Sequence, residues 1–252
     1  MTLGDLVAAL GIPAAAVVDQ KVTKKLLIEN AAPTAADKRR ITEGVGEVRW
    51  VAALKPSTVG IAPYADATRE YLEIAVMTAR LNPDAKGARL SELIHRAIPY
   101  PVLLIASQAG LTSVSVAHKR WSIAEANKVV LDGEPLAVDV ADADDSGCSL
   151  AFREALAISA RRHVNLLALY QWWIDVICAL QAAARTGRFE MLTSAEQAGH
   201  RRVALAACGT IEANIAATRM AAAKATQVSQ RVELNLQLQQ LQADLAAALA
   251  NI

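Results

Sequence analysis

The sequence predicts an α+β fold, with an N-terminal mixed β-sheet domain over residues 1–140 and a C-terminal helical region over 149–252. Three observations predict it. Residues 46–140 hold short segments that alternate apolar with polar or run continuously apolar, as strands do. Beyond residue 147 the apolar positions recur at helical spacing. Between these parts, Asp139 to Gly147 is acidic and rich in small residues, the composition of a boundary.

The first thirty residues read as irregular apart from a short helix at Leu3–Leu10, ended by Gly11-Ile12-Pro13. Thr34-Ala35-Ala36-Asp37 is a capping box, so a helix runs from there to about Glu43, where Gly44 and Gly46 stop it. Residues 46–54 alternate, with Val48, Trp50, Ala52 and Leu54 on one side, and predict a half-buried strand. Lys55-Pro56-Ser57 turns into a short strand at Val59-Gly60-Ile61, and Arg69 to Thr78 is a third, ended by Asn82-Pro83-Asp84. Leu90, Leu93, Ile94 and Ala97 mark a helix closed by Ile98-Pro99-Tyr100-Pro101. Val102–Ala106 is apolar throughout, as in a central strand buried on both faces. Thr112–Lys119 pairs with it as a hairpin and is expected to be the more exposed strand; a last strand lies at Leu136–Val140. The order is α-β-β-β-α-β-β.

One helix is expected over Ser149–Thr186, with two apolar stripes: Leu167, Tyr170, Ile174, Ile177 and Leu166, Leu169, Trp173, Val176, Leu180. Such a helix has two neighbours, expected to be the sheet and the C-terminal helix. Ser194 to Ile252 is one long helix or two, with Gly199 and Gly209 as weak points. Its end is the clearest signal in the chain. Leu234, Leu238, Leu241, Leu245, Ala248 and Ile252 form a heptad-spaced seam in a coiled-coil-like tail over 228–252. A seam this narrow is poorly buried until another helix covers it. It advertises an association surface, expected either to bind a partner or to fold back on the helix at 149–186.

Composition limits the function classes. Lys plus Arg number 26 and Asp plus Glu 25, so no global charge draws the protein to nucleic acid or an anionic membrane. Cys148, Cys178 and Cys208 are widely spaced and odd in number, against a disulfide framework or zinc knuckle and in favour of a reducing cytoplasm. The first residues lack a basic segment followed by an apolar core, so no signal peptide is expected. Val164–Ala184 is the most apolar window, but Asn165, Gln171 and Asp175 interrupt it, as in a buried helix rather than a membrane span.

Candidate chemistry is sparse. Asp142, Asp144, Ser146 and Gly147 resemble a calcium loop until its twelfth position, which is Arg153 instead of Glu. His95, His118, His163 and His200 are scattered, without cysteine or carboxylate at ligand spacing, so no metal is expected. No Walker loop, dinucleotide turn or nucleophile elbow is present, and no cofactor is expected. Basic pairs recur, and Lys24, Lys25, Lys119, Arg120, Arg161 and Arg162 are the candidates for phosphate contact; Trp121 beside Arg120 offers a face for stacking on a base. The alternative reading of these pairs is ordinary solvated surface.

The element order is also that of the restriction-endonuclease-like core. That core holds a divalent cation with an acid at one strand end and Glu/Asp-x-Lys on the next. Asp66, Glu73 and Lys119 are the candidates for such a magnesium-dependent nuclease, although Glu73-Ile74-Ala75 has Ala in place of the lysine.

Four segments carry a family resemblance. They are Val18-Asp19-Gln20-Lys21-Val22-Thr23-Lys24-Lys25 with Glu29-Asn30, Val48-Arg49-Trp50 through Leu54-Lys55-Pro56-Ser57-Thr58-Val59, Leu93-Ile94-His95-Arg96-Ala97-Ile98-Pro99-Tyr100-Pro101, and Arg231-Val232-Glu233-Leu234-Asn235. Together they resemble the uncharacterised bacterial domain-of-unknown-function family 4391 over nearly the whole chain. Ala75 and Met77 depart from it, standing where the family is more polar. Such proteins are encoded beside DNA helicases and methyltransferases in restriction-like or phage-defence clusters. The resemblance therefore implies a DNA-directed assembly; together with the unsatisfied seam and the missing catalytic motifs, the expectation is an accessory, non-catalytic subunit of a DNA-targeting complex, partnered by a helicase or methyltransferase and docked through Leu234, Leu238, Leu241 and Leu245. The alternatives are the nuclease and a self-dimerising scaffold without DNA contact.

Overall fold

The computed structural model describes residues 1–125, 128–140 and 147–252. The chain forms two compact units, Met1–Ile177 and Cys178–Ile252. Both the N-terminal mixed sheet and the C-terminal helices are present. The division between the units falls inside a helix; of the segment 139–147, residues 141–146, with Asp142, Asp144 and Ser146 of the calcium-like pattern, lie outside the described residues.

In the first unit, α1 (Leu3–Ala9) begins at Thr2, whose hydroxyl accepts from Asp5 N while Thr2 N donates to the Asp5 carboxylate. A single 3₁₀ turn leads into β1 (Val17–Val22), and α2 (Lys24–Ala31) follows. Both elements fall where an irregular chain was expected. β1 is an edge strand with a bulge between Val17 and Gln20, where Asp19 has φ 48°, so it shows no period-two alternation to read. Half of the predicted capping box forms: Thr34 Oγ1 accepts from Asp37 N at the head of α3 (Ala35–Gly44), while the Asp37 carboxylate is taken by Thr34 Oγ1, Arg40 and Arg89 in place of the Thr34 N–H.

β2 (Val45–Leu54) is the first long strand. A bulge between Trp50 and Ala52 exchanges its faces, so Val48 and Trp50 face one side of the sheet and Ala52 and Leu54 the other, not all four together. The expected strand at Val59–Ile61 is absent. Pro56 opens α4 (Pro56–Val59) instead, and Gly60 ends it at φ 68°. The expected strand over 69–78 is split. β3 (Tyr64–Ala65) pairs with β4 (Glu70–Tyr71), and β5 (Ile74–Leu81) starts after a bend.

α5 (Gly87–Ala97) crosses from β5 to the parallel β6 (Val102–Gln108). Gly87 stands at its start where a Cβ would press on Gln108 Oε1, so a larger residue there would displace the Gln108 side chain. A tight turn at Ala109-Gly110 leads into β7 (Leu111–Val116), followed by β8 (Lys119–Trp121), β9 (Val129–Leu131) and β10 (Leu136–Val140). The six-stranded sheet runs β1-β2-β5-β6-β7-β10, and β5–β6 is its one parallel pair. β7 is more buried than predicted because β10 flanks it on its far side; Thr112, Val114, Ser115 and Val116 are all buried.

One face of the sheet packs under Leu27 of α2, Ile41 of α3 and Leu90, Leu93 and Ile94 of α5, on Val48, Ala75, Met77, Val102 and Leu104. The alternate residues Ile74, Val76, Leu103, Ile105, Val114 and Val116 are buried on the other face.

The helix expected over 149–186 is two: α6 (Cys148–Leu156) and α7 (Leu166–Thr186), with a 3₁₀ turn at Ile158–Ala160. The break is held by side chains. The indoles of Trp172 and Trp173 donate to the carbonyls of Ala155 (2.8 Å) and Leu156 (2.9 Å), satisfying the end of α6, and Asn165 Oδ1 accepts from Ala168 N at the start of α7. α7 is long and apolar enough to cross a membrane, with mean hydropathy 1.4, but 67% of that stretch is buried within the chain, as in a core helix.

The second unit contains the end of α7, stopped by Gly187 at φ 75°, then α8 (Ala195–Lys224) and α9 (Val228–Leu249). α8 runs through both Gly199 and Gly209; each glycine costs only about 1 kcal/mol, which a long packed helix absorbs. The chain turns at Ala225–Gln227, and α9 packs back along α8 as an antiparallel hairpin. Arg201 near the start of α8 reaches the carbonyls of Glu190 (2.6 Å) and Ile252 (3.4 Å).

Candidate functional surfaces

By sequence Lys119 is a candidate phosphate or nuclease lysine. The structure places its amine inside the first unit, with the residue 2% exposed. It sits one strand position beyond the β7–β8 turn, on the inward side, and its Nζ donates to the carbonyls of His95 and Ile98 (2.8 Å) at the C-terminal end of α5. It thus caps that helix, whose last carbonyls lack partners of their own. Burial lowers its pKa to about 7. His95, on the last turn of α5, is fully buried; its Nε2 meets Ser115 Oγ at 3.0 Å and its Nδ1 has no partner. Burial, reinforced by the Lys119 charge, lowers the imidazole to about 3, so it is neutral.

The two nuclease acids are engaged locally. Asp66 is exposed and accepts from Thr68 N and Oγ1 (both 2.7 Å), Arg69 N (2.8 Å) and the Tyr64 hydroxyl (2.7 Å), which shape the β3–β4 turn. The bond from Thr68, then that from Tyr64, holds its carboxyl well below the usual range. Glu73 is nearly buried and pairs with Lys55 at 3.2 Å. Among the described residues no group of three or more His, Cys, Asp or Glu has the arrangement of a metal site.

The basic candidates lie on different elements. Lys24 Nζ donates to Thr42 O at 2.7 Å, whereas Lys25 is exposed and faces Glu29 at 3.8 Å. Arg120 stands 3.5 Å from Asp132 and donates to Trp121 O. Asp132 also receives Arg69 at 2.9 Å, which ties the β3–β4 and β8–β9 hairpins together. The Arg161 guanidinium lies 5.1 Å over the Trp172 ring, and Arg162 is exposed. Of the Lys119-Arg120-Trp121 run, Arg120 and Trp121 are half-buried and reach the surface, while Lys119 turns inward.

A half-buried polar chain has almost no signature in the sequence. Gln171 Nε2 donates to Asp175 Oδ1 (3.1 Å), which turns its Oε1 toward His118 Nε2 (3.2 Å) and leaves His118 Nδ1 to accept from the Tyr71 hydroxyl. Beside it, the Tyr170 hydroxyl accepts from Ala117 N and lies 2.8 Å from Val102 O. Burial raises both tyrosines above their ordinary value. The one signal for this chain is the in-phase placing of His118 with Val114 and Val116.

Among the described residues a groove and a helix face stand out as accessible surfaces. A groove of about 690 Å³ runs between α5 and the strands β7 and β10; Ser113, Ser115 and Ala137 form its floor and Glu92, Glu134 and Asp139 stand on its rim. The second surface is α9. Leu234, Leu238, Leu241, Leu245, Ala248 and Ile252 are its half-buried side, and no residue of the helix is fully buried. On α8 the buried residues are Ala198, Arg201, Ala204, Leu205, Cys208, Ile215 and Thr218, which share one broad side of that helix.

The model of a domain of unknown function (DUF4391) matches residues 10–245. The chain belongs to this family. The match takes in β1 and α2, the whole sheet and most of α9, so the helical hairpin is part of the family's own domain and no appendage to it. No curated protein and no solved structure matches.

Proposed function

We propose that this DUF4391 protein is a non-catalytic accessory subunit of a bacterial DNA-targeting assembly, restriction-like or anti-phage, working in the cytoplasm without a cofactor. Its partner is a DNA helicase or methyltransferase of the same gene cluster, and the α8–α9 hairpin is the docking element. One observation carries the reading. α9 has 22 residues, only three of them charged (Arg231, Glu233, Asp244), and none buried. A helix with this little charge and this little cover is a surface for another protein. The nuclease candidates support the non-catalytic half: Lys119 caps a helix, Asp66 shapes a turn and Glu73 pairs with Lys55.

Exposed Lys25 and Arg162, with Arg120, Trp121 and Arg161, are the residues for direct DNA contact. Phosphate contact there gives an affinity that falls steeply with salt. The test is purification of the tagged protein from its native host, beside a Leu238→Asp variant. A helicase or methyltransferase that accompanies the parent and is lost with the variant is the expected result. A protein that emerges alone in both overturns the proposal.

A second reading, a metal-dependent nuclease of restriction-endonuclease-like fold, has one observation in its favour. β1, β2 and β5 are successive antiparallel neighbours, and α5 crosses to the parallel β6, the strand-helix-strand order of that core. Magnesium-dependent DNA cleavage abolished in Glu73→Ala would establish it in place of the first.

A further inference from the structure

We propose that the side of α9 turned away from α8 is a homodimer interface. A second copy of the chain lays its own α9 antiparallel on Val228, Val232, Leu236, Ala243, Ala246 and Ala250, with Gln239 on the two-fold axis. These residues recur at spacings of four, four, three, four, three and four once Gln239 is included, and every one is exposed. Val228 is 74%, Val232 53% and Leu236 61% exposed. At about 100° per residue the stripe lies roughly 150° around the helix from the leucine seam. The seam is spent on α8; this stripe has no cover.

Size order along the stripe selects the occupant. Its bulky residues stand in the first half and its alanines in the second, with Gln239 at the middle. Reversing one copy against the other brings Val228 onto Ala250 and Val232 onto Ala246 and sets Leu236 beside Ala243, about 1.5 Å out of level, so that large side chains meet small ones along the stripe. A parallel pair would set Val on Val and leave the alanine half unfilled. Only a two-fold partner of the same sequence repeats the complement at both ends, as an isologous interface demands. Gln239 then meets its own counterpart, and a side-chain amide both donates and accepts, so the pair bonds itself and fixes the register.

The inference rests on the reading of α9 as an assembly helix, but it needs no helicase or methyltransferase, so the two fail separately. The test is the mass of the full chain by light scattering across a concentration series, with Leu236→Arg beside it. The expected result is a shift from one chain to two on concentration, abolished by Leu236→Arg with the circular-dichroism helicity unchanged. Cysteine variants then read the geometry, since Cys148, Cys178 and Cys208 are all buried. Gln239→Cys should crosslink to itself on mild oxidation. Val228→Cys should crosslink only when mixed with Ala250→Cys. A monomer at every concentration, a dimer indifferent to Leu236→Arg, or self-crosslinking of Val228→Cys each overturns the homodimer. A helicase or methyltransferase held by a chain that stays monomeric overturns it too, while sustaining the function proposed above.

Discussion

Lys119 closes the C-terminal end of α5, its ammonium donating to the carbonyl of Ile98 at 2.8 Å, with no carboxylate among its hydrogen-bond partners. A charge held this way is carried at a cost, and the cost depends on pH. Its pKa of about 7 lies below the 10.5 of an exposed lysine. Between those values the unfolded chain binds more protons than the folded one, so stability rises as pH increases from about 7 toward 10. Above about 10 the trend reverses, because Tyr71 and Tyr170 keep their protons in the fold and lose them when unfolded. Urea melts from pH 6 to 11 check this, and Lys119→Met should flatten the rising limb.

His95 acts on the acid side. The buried ring, at about 3, stays neutral while an unfolded histidine protonates below about 6.5, so stability falls as pH drops through this window. His95→Leu removes this slope. It also leaves Ser115 Oγ without the ring, a loss of about 1 kcal/mol. Melts of the variant from pH 3 to 7 measure both effects.

Asp37 joins α3 to α5. It is 1% exposed, and Arg89 grips both of its oxygens (3.1 and 2.9 Å) while Arg40 and Thr34 add one bond each. Arg89, foremost, holds the carboxyl far below its usual value. Its contribution is full above about 4 and is lost as pH falls further. Asp37→Asn should cost about 2–3 kcal/mol at neutral pH, less than a fully buried pair because Arg89 retains contact with water. Chemical denaturation of the variant checks it.

Tyr170 pins α7 to the sheet through one hydroxyl that accepts from Ala117 N and lies within bonding distance of Val102 O and Ala117 O. Tyr170→Phe keeps the ring packing and orphans these backbone groups. A loss of about 1–3 kcal/mol is expected, read as earlier thermal unfolding with unchanged helicity.

Leu238 belongs to the half-buried side of α9. Leu238→Asp should loosen the hairpin and raise hydrogen exchange along both α8 and α9, while residues 102–116 of the sheet keep their protection. An exchange map that leaves α8 unchanged would contradict the pairing of the two seams.

The sequence by itself determined whatever is encoded by neighbours a few residues apart. Thr34 specifies the N-cap of α3, the unbroken run Val102–Ala106 specifies a central strand, and the leucine spacing of 234–245 specifies which side of α9 is covered. Four quoted segments also sufficed to place the chain in its family. The tertiary structure decided what depends on groups far apart along the chain. The bulge in β2 exchanges its faces because β1 and β5 pair on either side of it. The break before α7 is held by indoles 17 residues away, and no local breaker bends α8 into α9, since the pairing of two seams supplies the energy. Lys119 is the sharpest case. Beside Arg120 and Trp121 it reads as surface charge, and only the arrival of α5, more than twenty residues upstream, gives its ammonium carbonyls to replace water. Capping and periodicity act through local geometry, whereas burial is a property of the assembled layers, so the residue types alone do not carry it.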